Sequence, residues 1–217
     1  MSPLAHSIVR GAVGLGLFAI VTAGVVGLTH SITFERIADN RLASQYQALE
    51  EVVPAALHDN ALLDDTVILP AADMLGQTDT FIAWQARQNG NISAVILPVT
   101  THQGYSGDIA LLIGISANGK LTGVRVLSHR ETPGLGDKIE ARKSGWIKQF
   151  AGLSLGDPPV GQWAVKKEGG TFDAFTGATI TPRAVVNAVQ RSLEYFAAYR
   201  ERLLEAPEEA IGDEPIQ

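Results

Sequence analysis

Ile109-Ala110-Leu111-Leu112-Ile113-Gly114-Ile115-Ser116-Ala117-Asn118-Gly119-Lys120-Leu121-Thr122-Gly123-Val124-Arg125-Val126-Leu127 is two apolar runs joined through Asn118-Gly119. Asn-Gly between such runs is the strongest short-range hairpin signal, because both residues accept the positive φ of the tight turns that match strand twist. Residues 81–86 and 92–99 flank Asn89-Gly90-Asn91 in the same way. Two hairpins predict a mostly antiparallel sheet.

The flanking segments read as helices for the most part. Residues 139–150 suit a short helix despite Gly145, and 163–165 one more strand. Thr181 is a good N-cap and Pro182 suits a first helical turn; behind them Val185, Val189, Phe196 and Leu203 recur at near-helical spacing. That last helix is expected to reach about residue 205. Residues 206–217, with two prolines and four acids, read as a frayed tail. Upstream, Leu42, Tyr46, Leu49 and Val53 keep helical spacing until Pro54 interferes.

From residue 11 to residue 28 no charge interrupts a run of Val, Leu, Ile, Ala, Gly and Phe. As a helix this run rises about 27 Å, close to the hydrocarbon thickness of a bilayer. A cleaved signal peptide is the rival reading. Its apolar region is usually about 7–15 residues long, and no convincing Ala-x-Ala site follows here before Arg36. A retained transmembrane helix is therefore expected. Arg10 precedes it, whereas Arg36 is balanced by Glu35 and Asp39, so the positive-inside rule places the N-terminus in the cytoplasm and the rest beyond the membrane. The fold class is α+β, with one N-terminal transmembrane helix, then a single domain whose mostly antiparallel sheet is flanked by helices.

Composition narrows the function. A net charge of -6 argues against a nucleic-acid partner, which would usually need a basic face. Cysteine is absent, so no disulfide forms and no cysteine-bound iron–sulfur cluster can be ligated. The five histidines lack close metal-ligand spacing, and no metal site is expected. A Gly-x-Ser-x-Gly elbow is missing, which argues against a hydrolase. Redox work would need another cofactor.

Three short motifs carry that possibility. In Asp173-Ala174-Phe175-Thr176-Gly177-Ala178-Thr179, a threonine hydroxyl on a loop can reach a modifying enzyme, and Gly177 and Ala178 keep its approach free of bulk. The helix start behind it would favour an attached anion through free N–H groups and the helix dipole. A plain turn that caps a helix is the alternative. In His129-Arg130-Glu131-Thr132-Pro133-Gly134-Leu135-Gly136, proline and two glycines let the backbone approach a flat ring, while Leu135 offers an apolar contact and Glu131 an acceptor. The alternative is a tight surface turn. Gly104-Tyr105-Ser106-Gly107 is weaker, Tyr105 being suited to a ring edge or to the core.

In this order, with the N-terminal anchor, these motifs resemble the G subunit of the Rnf (Rsx) electron transport complex across nearly the whole chain. The Asp-x-x-Ser/Thr-Gly-Ala-Thr signature of that family is where flavin mononucleotide (FMN) is esterified to protein. The C subunit of the sodium-translocating NADH:quinone reductase is similar but usually longer. The resemblance implies a membrane-bound, ion-translocating ferredoxin:NAD oxidoreductase in which this chain relays electrons without a substrate site of its own. It implies covalent FMN at Thr179, with Thr176, Gly177, Ala178 and Thr181 shaping the loop. Glu131, Thr132, Gly134, Leu135, Gly136 and Tyr105 would contact the flavin, and Asp173 would be read by the flavin transferase that supplies FMN from FAD. Expected partners are the A, B, C, D and E subunits, the transferase and membrane lipid. The expected location is the bacterial inner membrane with the soluble domain on the periplasmic side. The implied layout is a cytoplasmic terminus (1–10), a membrane helix (11–29), a helical connector (30–60), an FMN-binding domain (61–205) and the tail. A membrane-anchored binding or assembly module with an unmodified loop is the reading from another class.

Overall fold

The computed structural model describes residues 3–205, and the backbone alone for 3–9 and 31–42; the expected tail lies outside the described residues. It divides into two compact units, Met1–Gln45 and Tyr46–Gln217. Helix α1 (Pro3–Val52) supplies all of the first unit that is described and the start of the second.

In the first unit, Arg10–His30 is long and apolar enough to cross a membrane. Its apolar side chains, among them Leu15, Phe18, Ile20 and Val26, are bare on all sides. A hydroxyl in such a span needs an internal partner, and Thr22 and Thr29 donate to the carbonyls of Phe18 and Val25 one turn earlier, both at 2.8 Å.

The second unit is built on a five-stranded antiparallel meander in the order β1-β2-β3-β4-β5. The strands are β1 (Thr66–Leu69), β2 (Phe81–Gln88), β3 (Asn91–Thr101), β4 (Ile109–Ser116) and β5 (Leu121–Ser128). Both expected hairpins form. At the first, Asn89 and Gly90 take φ of 52° and 79°, the positive values that the turn demands. Apolar runs are continuous in β3 and β4 because both faces of the sheet are covered. On one face, Val95, Leu97, Leu111 and Ile113 pack under helix α2 (Ile180–Leu203), whose Val185, Val189 and Phe196 are buried. On the other, Ala94, Ile96 and Leu112 pack under Leu49 and Val52 at the end of α1 and Val53 just beyond it.

The sequence expectations fail at four places. Strand β1 is missed, since four residues between Asp65 and Pro70 are too short to show alternation. Residues 139–150 form no α-helix but two 3-10 turns, Gly136–Ile139 and Trp146–Phe150. Ser144 breaks the run: its hydroxyl donates to the Lys138 carbonyl at 2.7 Å and accepts the Trp146 N–H at 3.1 Å, offering the backbone a local alternative beside Gly145. Residues 163–165 form no strand either. Val165 makes one isolated bridge to Phe172, and Trp163 enters a buried aromatic cluster with Phe150 and Phe172. Finally, Thr181 is not an N-cap: α2 starts two residues earlier than expected, with Thr179 in the cap position.

The last turn of α1 rests on a slot formed by two facing glycines. Gly114 of β4 and Gly123 of β5 are cross-strand partners, and a Cβ on either would fall 2.7–2.9 Å from Val52 atoms. The Thr122 hydroxyl donates to the Val52 carbonyl at 2.8 Å, satisfying a group at the helix end. Gly123→Ala, which would press on that backbone carbonyl, is expected to destabilise the second unit by about 1–3 kcal/mol. Denaturant unfolding of the full chain in detergent checks it; an unchanged midpoint would mean that the helix end is not seated there.

Candidate cofactor site

The three motifs singled out in the sequence converge on the N-terminal end of α2, and one carboxylate joins them. Glu131 is buried at 4 % exposure. Its Oε1 accepts the Ser106 backbone N–H at 3.0 Å, and its Oε2 accepts the Thr181 hydroxyl. Glycines make the room. A Cβ on Gly104 would lie 2.9 Å from Glu131 Oε1, and one on Gly136 would lie 2.8 Å from Thr181 Oγ1 and 3.0 Å from Glu131 Oε2. The 104–107 loop, the 131–136 turn and the start of α2 are thus held at contact distance by glycine on either side of one charged acceptor.

Behind this tie lies a second one. The Glu131 backbone N–H donates to His129 Nδ1 at 3.0 Å, so His129 carries its proton on Nε2, which faces Glu140 Oε1 at 2.9 Å. The hydrogen bond from His129 holds the Glu140 carboxyl below its ordinary value; burial opposes this, and the charges of Arg142 and Lys143 reinforce it.

In front of it, the loop is shaped for access. Ala178 N–H closes a turn onto the Phe175 carbonyl at 3.0 Å, with Gly177 at φ 84°, a value that L residues rarely adopt. A Cβ there would also touch Leu135 Cδ2 at 3.3 Å, so the 131–136 turn and the threonine loop abut at this point. Leu135 itself is 40 % exposed, and the neighbouring Ile180 is 42 % exposed. They give this end of the helix an uncovered apolar surface.

The three threonines of the loop differ in what their hydroxyls can do. Thr181 is buried and committed to Glu131. Thr176 is exposed on the turn. Thr179 is half-buried at the helix N-cap and makes no capping bond with its side chain, which leaves its hydroxyl free where the helix dipole favours negative charge.

Of the other expected residues, Ala178 is half-buried, while Thr132, Gly134 and Tyr105 are exposed. The Thr132 carbonyl accepts the Leu135 and Gly136 N–H groups, each at 3.1 Å, which folds the turn back on itself. Asp173 is exposed and pairs with Lys166 at 2.8 Å.

Comparison with known proteins decides the family. A family model described as the FMN-binding domain matches residues 104–194, and one described as the RnfG N-terminal region matches residues 1–52. The G subunit of the ion-translocating oxidoreductase complex of Pseudomonas aeruginosa (strain UCBPP-PA14) is 53% identical over 96% of this chain and 97% of its own. The chain belongs to this G-subunit family. The Shewanella loihica member is 45% identical over 93% of this chain and 95% of its own, and that of Vibrio cholerae (strain M66-2) 41% over 91% and 94%. The crystal structure of Shewanella oneidensis NqrC is also similar, at 22% identity and a TM-score of 0.46 over 69% of this chain and 72% of that one.

The FMN-binding match spans all three converging motifs, from Gly104 into α2 as far as Glu194. It also covers residues at the site that the sequence did not single out. The Trp146 indole N–H donates to the Asp173 carbonyl at 2.7 Å, and its ring meets Phe175 edge-on at 5.2 Å, anchoring the threonine loop from below. Lys166 and Glu168, on one 3-10 turn (Lys166–Glu168), reach Asp173 and Arg183 on either side of the loop. Nothing local marks these residues, because their partners lie 7 to 27 positions away.

Glu131→Ala would leave the Ser106 N–H and the Thr181 hydroxyl without an acceptor. The variant is expected to lose about 2–4 kcal/mol, and Glu131→Gln, which keeps one acceptor oxygen, clearly less. Denaturant unfolding of the two variants checks this, and an alanine variant as stable as the parent would show that the tie is dispensable.

Proposed function

We propose that this chain is the electron-relay component of a membrane-bound Rnf complex and carries FMN as a phosphoester of Thr179. The observation that carries the reading is the Thr179 hydroxyl, free of any capping bond, at a helix N-terminus beside an exposed apolar surface. The residues present fit the group. Leu135 and Ile180 supply apolar contact for a flat ring, Gly177 keeps the approach open, and the helix end accommodates a phosphate. In this reading Glu131 does not bind the flavin through a free oxygen. It sets the distance between the Leu135 turn and Thr179 through its bonds to Ser106 and Thr181.

Attachment from FAD forms the bond from Thr179 Oγ to phosphorus and breaks the pyrophosphate linkage. AMP leaves, and the hydroxyl proton passes to the transferase. Asp173 is the residue that enzyme would read, and its side chain is exposed for the purpose. When bound, the flavin accepts and passes electrons one at a time. The chain's own part is to tether it, exclude water from one side of the ring through Leu135, and present it to the other Rnf subunits. The relatives are named as belonging to an ion-translocating oxidoreductase complex, which supports such partners. Residues 10–30 would anchor the chain in the bacterial inner membrane, with Arg10 on the cytoplasmic side and the flavin-bearing unit on the periplasmic side.

Intact-mass analysis of chain made alongside its transferase is expected to find one FMN, and peptide mapping to place it on Thr179. Thr179→Ala should abolish the flavin fluorescence that survives denaturing electrophoresis. Covalent flavin retained in that variant, on Thr176 for example, would overturn the assignment.

A further inference from the structure

Arg183 is the one cation of α2 placed a single turn behind Thr179. Its backbone N–H closes a helical hydrogen bond to the Thr179 carbonyl at 3.3 Å. Side chains four apart on a helix are neighbours, about 5–6 Å between Cβ atoms, and they lean toward the N-terminus. Arg183 therefore shares the helix face of the turn that carries the Thr179 hydroxyl.

Its guanidinium is only half used. Nη2 is paired with Glu168, while Nε is buried and has no hydrogen-bond partner. A buried charged donor without an acceptor is an unfavourable arrangement that an anion at this spot would relieve. The helix end also lacks a donor, because Pro182 at the third helical position has no N–H. The planar fork carries five N–H donors, so Nε–H remains available while Nη2 is held by Glu168.

The guanidinium is held in place by other contacts. Glu168 lies on the same short turn as Lys166, which grips Asp173 at 2.8 Å. One turn thus pins both sides of the threonine loop and sets the guanidinium before any cofactor arrives.

We infer that Arg183 is the cationic ligand of the phosphodiester at Thr179, with Nε–H donating to a phosphate oxygen while Nη2 stays on Glu168. This rests on the reading of Thr179 as the site of FMN attachment. A phosphodiester carries one negative charge and needs a donor that does not titrate, which a guanidinium supplies. Arg183 would thereby lower the free energy of the loaded form without taking part in electron transfer.

The test uses the full chain in detergent, prepared with and without the flavin transferase, as the parent and as Arg183→Gln and Arg183→Lys. Loading is expected to raise the thermal midpoint of the parent by about 4 °C, the scale of one charge-assisted hydrogen bond in a unit of this size. In Arg183→Gln that rise should vanish, and in Arg183→Lys it should fall by at least half. The phosphorus-31 resonance of the loaded protein should shift in both variants. If Arg183 merely staples the 166–168 turn to α2, loaded and unloaded forms will lose stability equally, the loading-induced rise will persist and the resonance will not move; that result overturns the inference. Should Arg183→Gln not fold, the resonance in Arg183→Lys decides alone, an unmoved signal counting against the inference. Absence of FMN from Thr179 in the parent would instead remove the attachment on which this ligand depends.

Discussion

A buried carboxylate that accepts a backbone N–H from one loop and a hydroxyl from the first turn of a helix fixes the separation of both from its own strand end. Glu131 does this for Ser106 and Thr181, and glycines at 104 and 136 allow the three segments to close around it. Charge-assisted bonds to a desolvated acceptor are short and directional, so the geometry they set is firmer than exposed loops would hold unaided. Everything that bears on the cofactor follows from that closure. Leu135 is brought against Gly177, and Thr179, two residues before Thr181, is left at the surface.

The sheet explains why such a tie can persist at the edge of the domain. Both its faces are covered, one by α2 and one by the end of α1, so the loops leave a close-packed platform. The aromatic cluster of Phe150, Trp163 and Phe172 does the same under the threonine loop, where Trp146 holds the Asp173 carbonyl. Rigid support around the half-buried Thr179 hydroxyl is what the proposed attachment would require, first for reach by a transferase and afterwards for holding the cofactor in a defined place.

Much of this was legible in the sequence because its signals are local. Asn-Gly turns, continuous apolar strands and the uncharged N-terminal run each announce themselves within ten or twenty residues. The Thr-Gly-Ala-Thr and Glu-Thr-Pro-Gly-Leu-Gly motifs were likewise visible, and the structure brings them together at Gly177 and Leu135. What escaped was set by distant partners or by a single local side chain. Thr181 resembled a cap, but its hydroxyl is taken by Glu131, fifty positions away, and the cap falls to Thr179. The helix expected over 139–150 was undone by the Ser144 hydroxyl, and the clamp of Lys166 and Glu168 has no pattern at all in sequence.

The most direct measurement is a structure of the chain after modification by its transferase. The expected result is density continuous from Thr179 Oγ into a phosphate, with the isoalloxazine in van der Waals contact with Leu135 and the bonds from Ser106 and Thr181 to Glu131 intact. A bare Thr179, or a ring seated away from Leu135 with Glu131 turned out of its tie, would contradict the central claim.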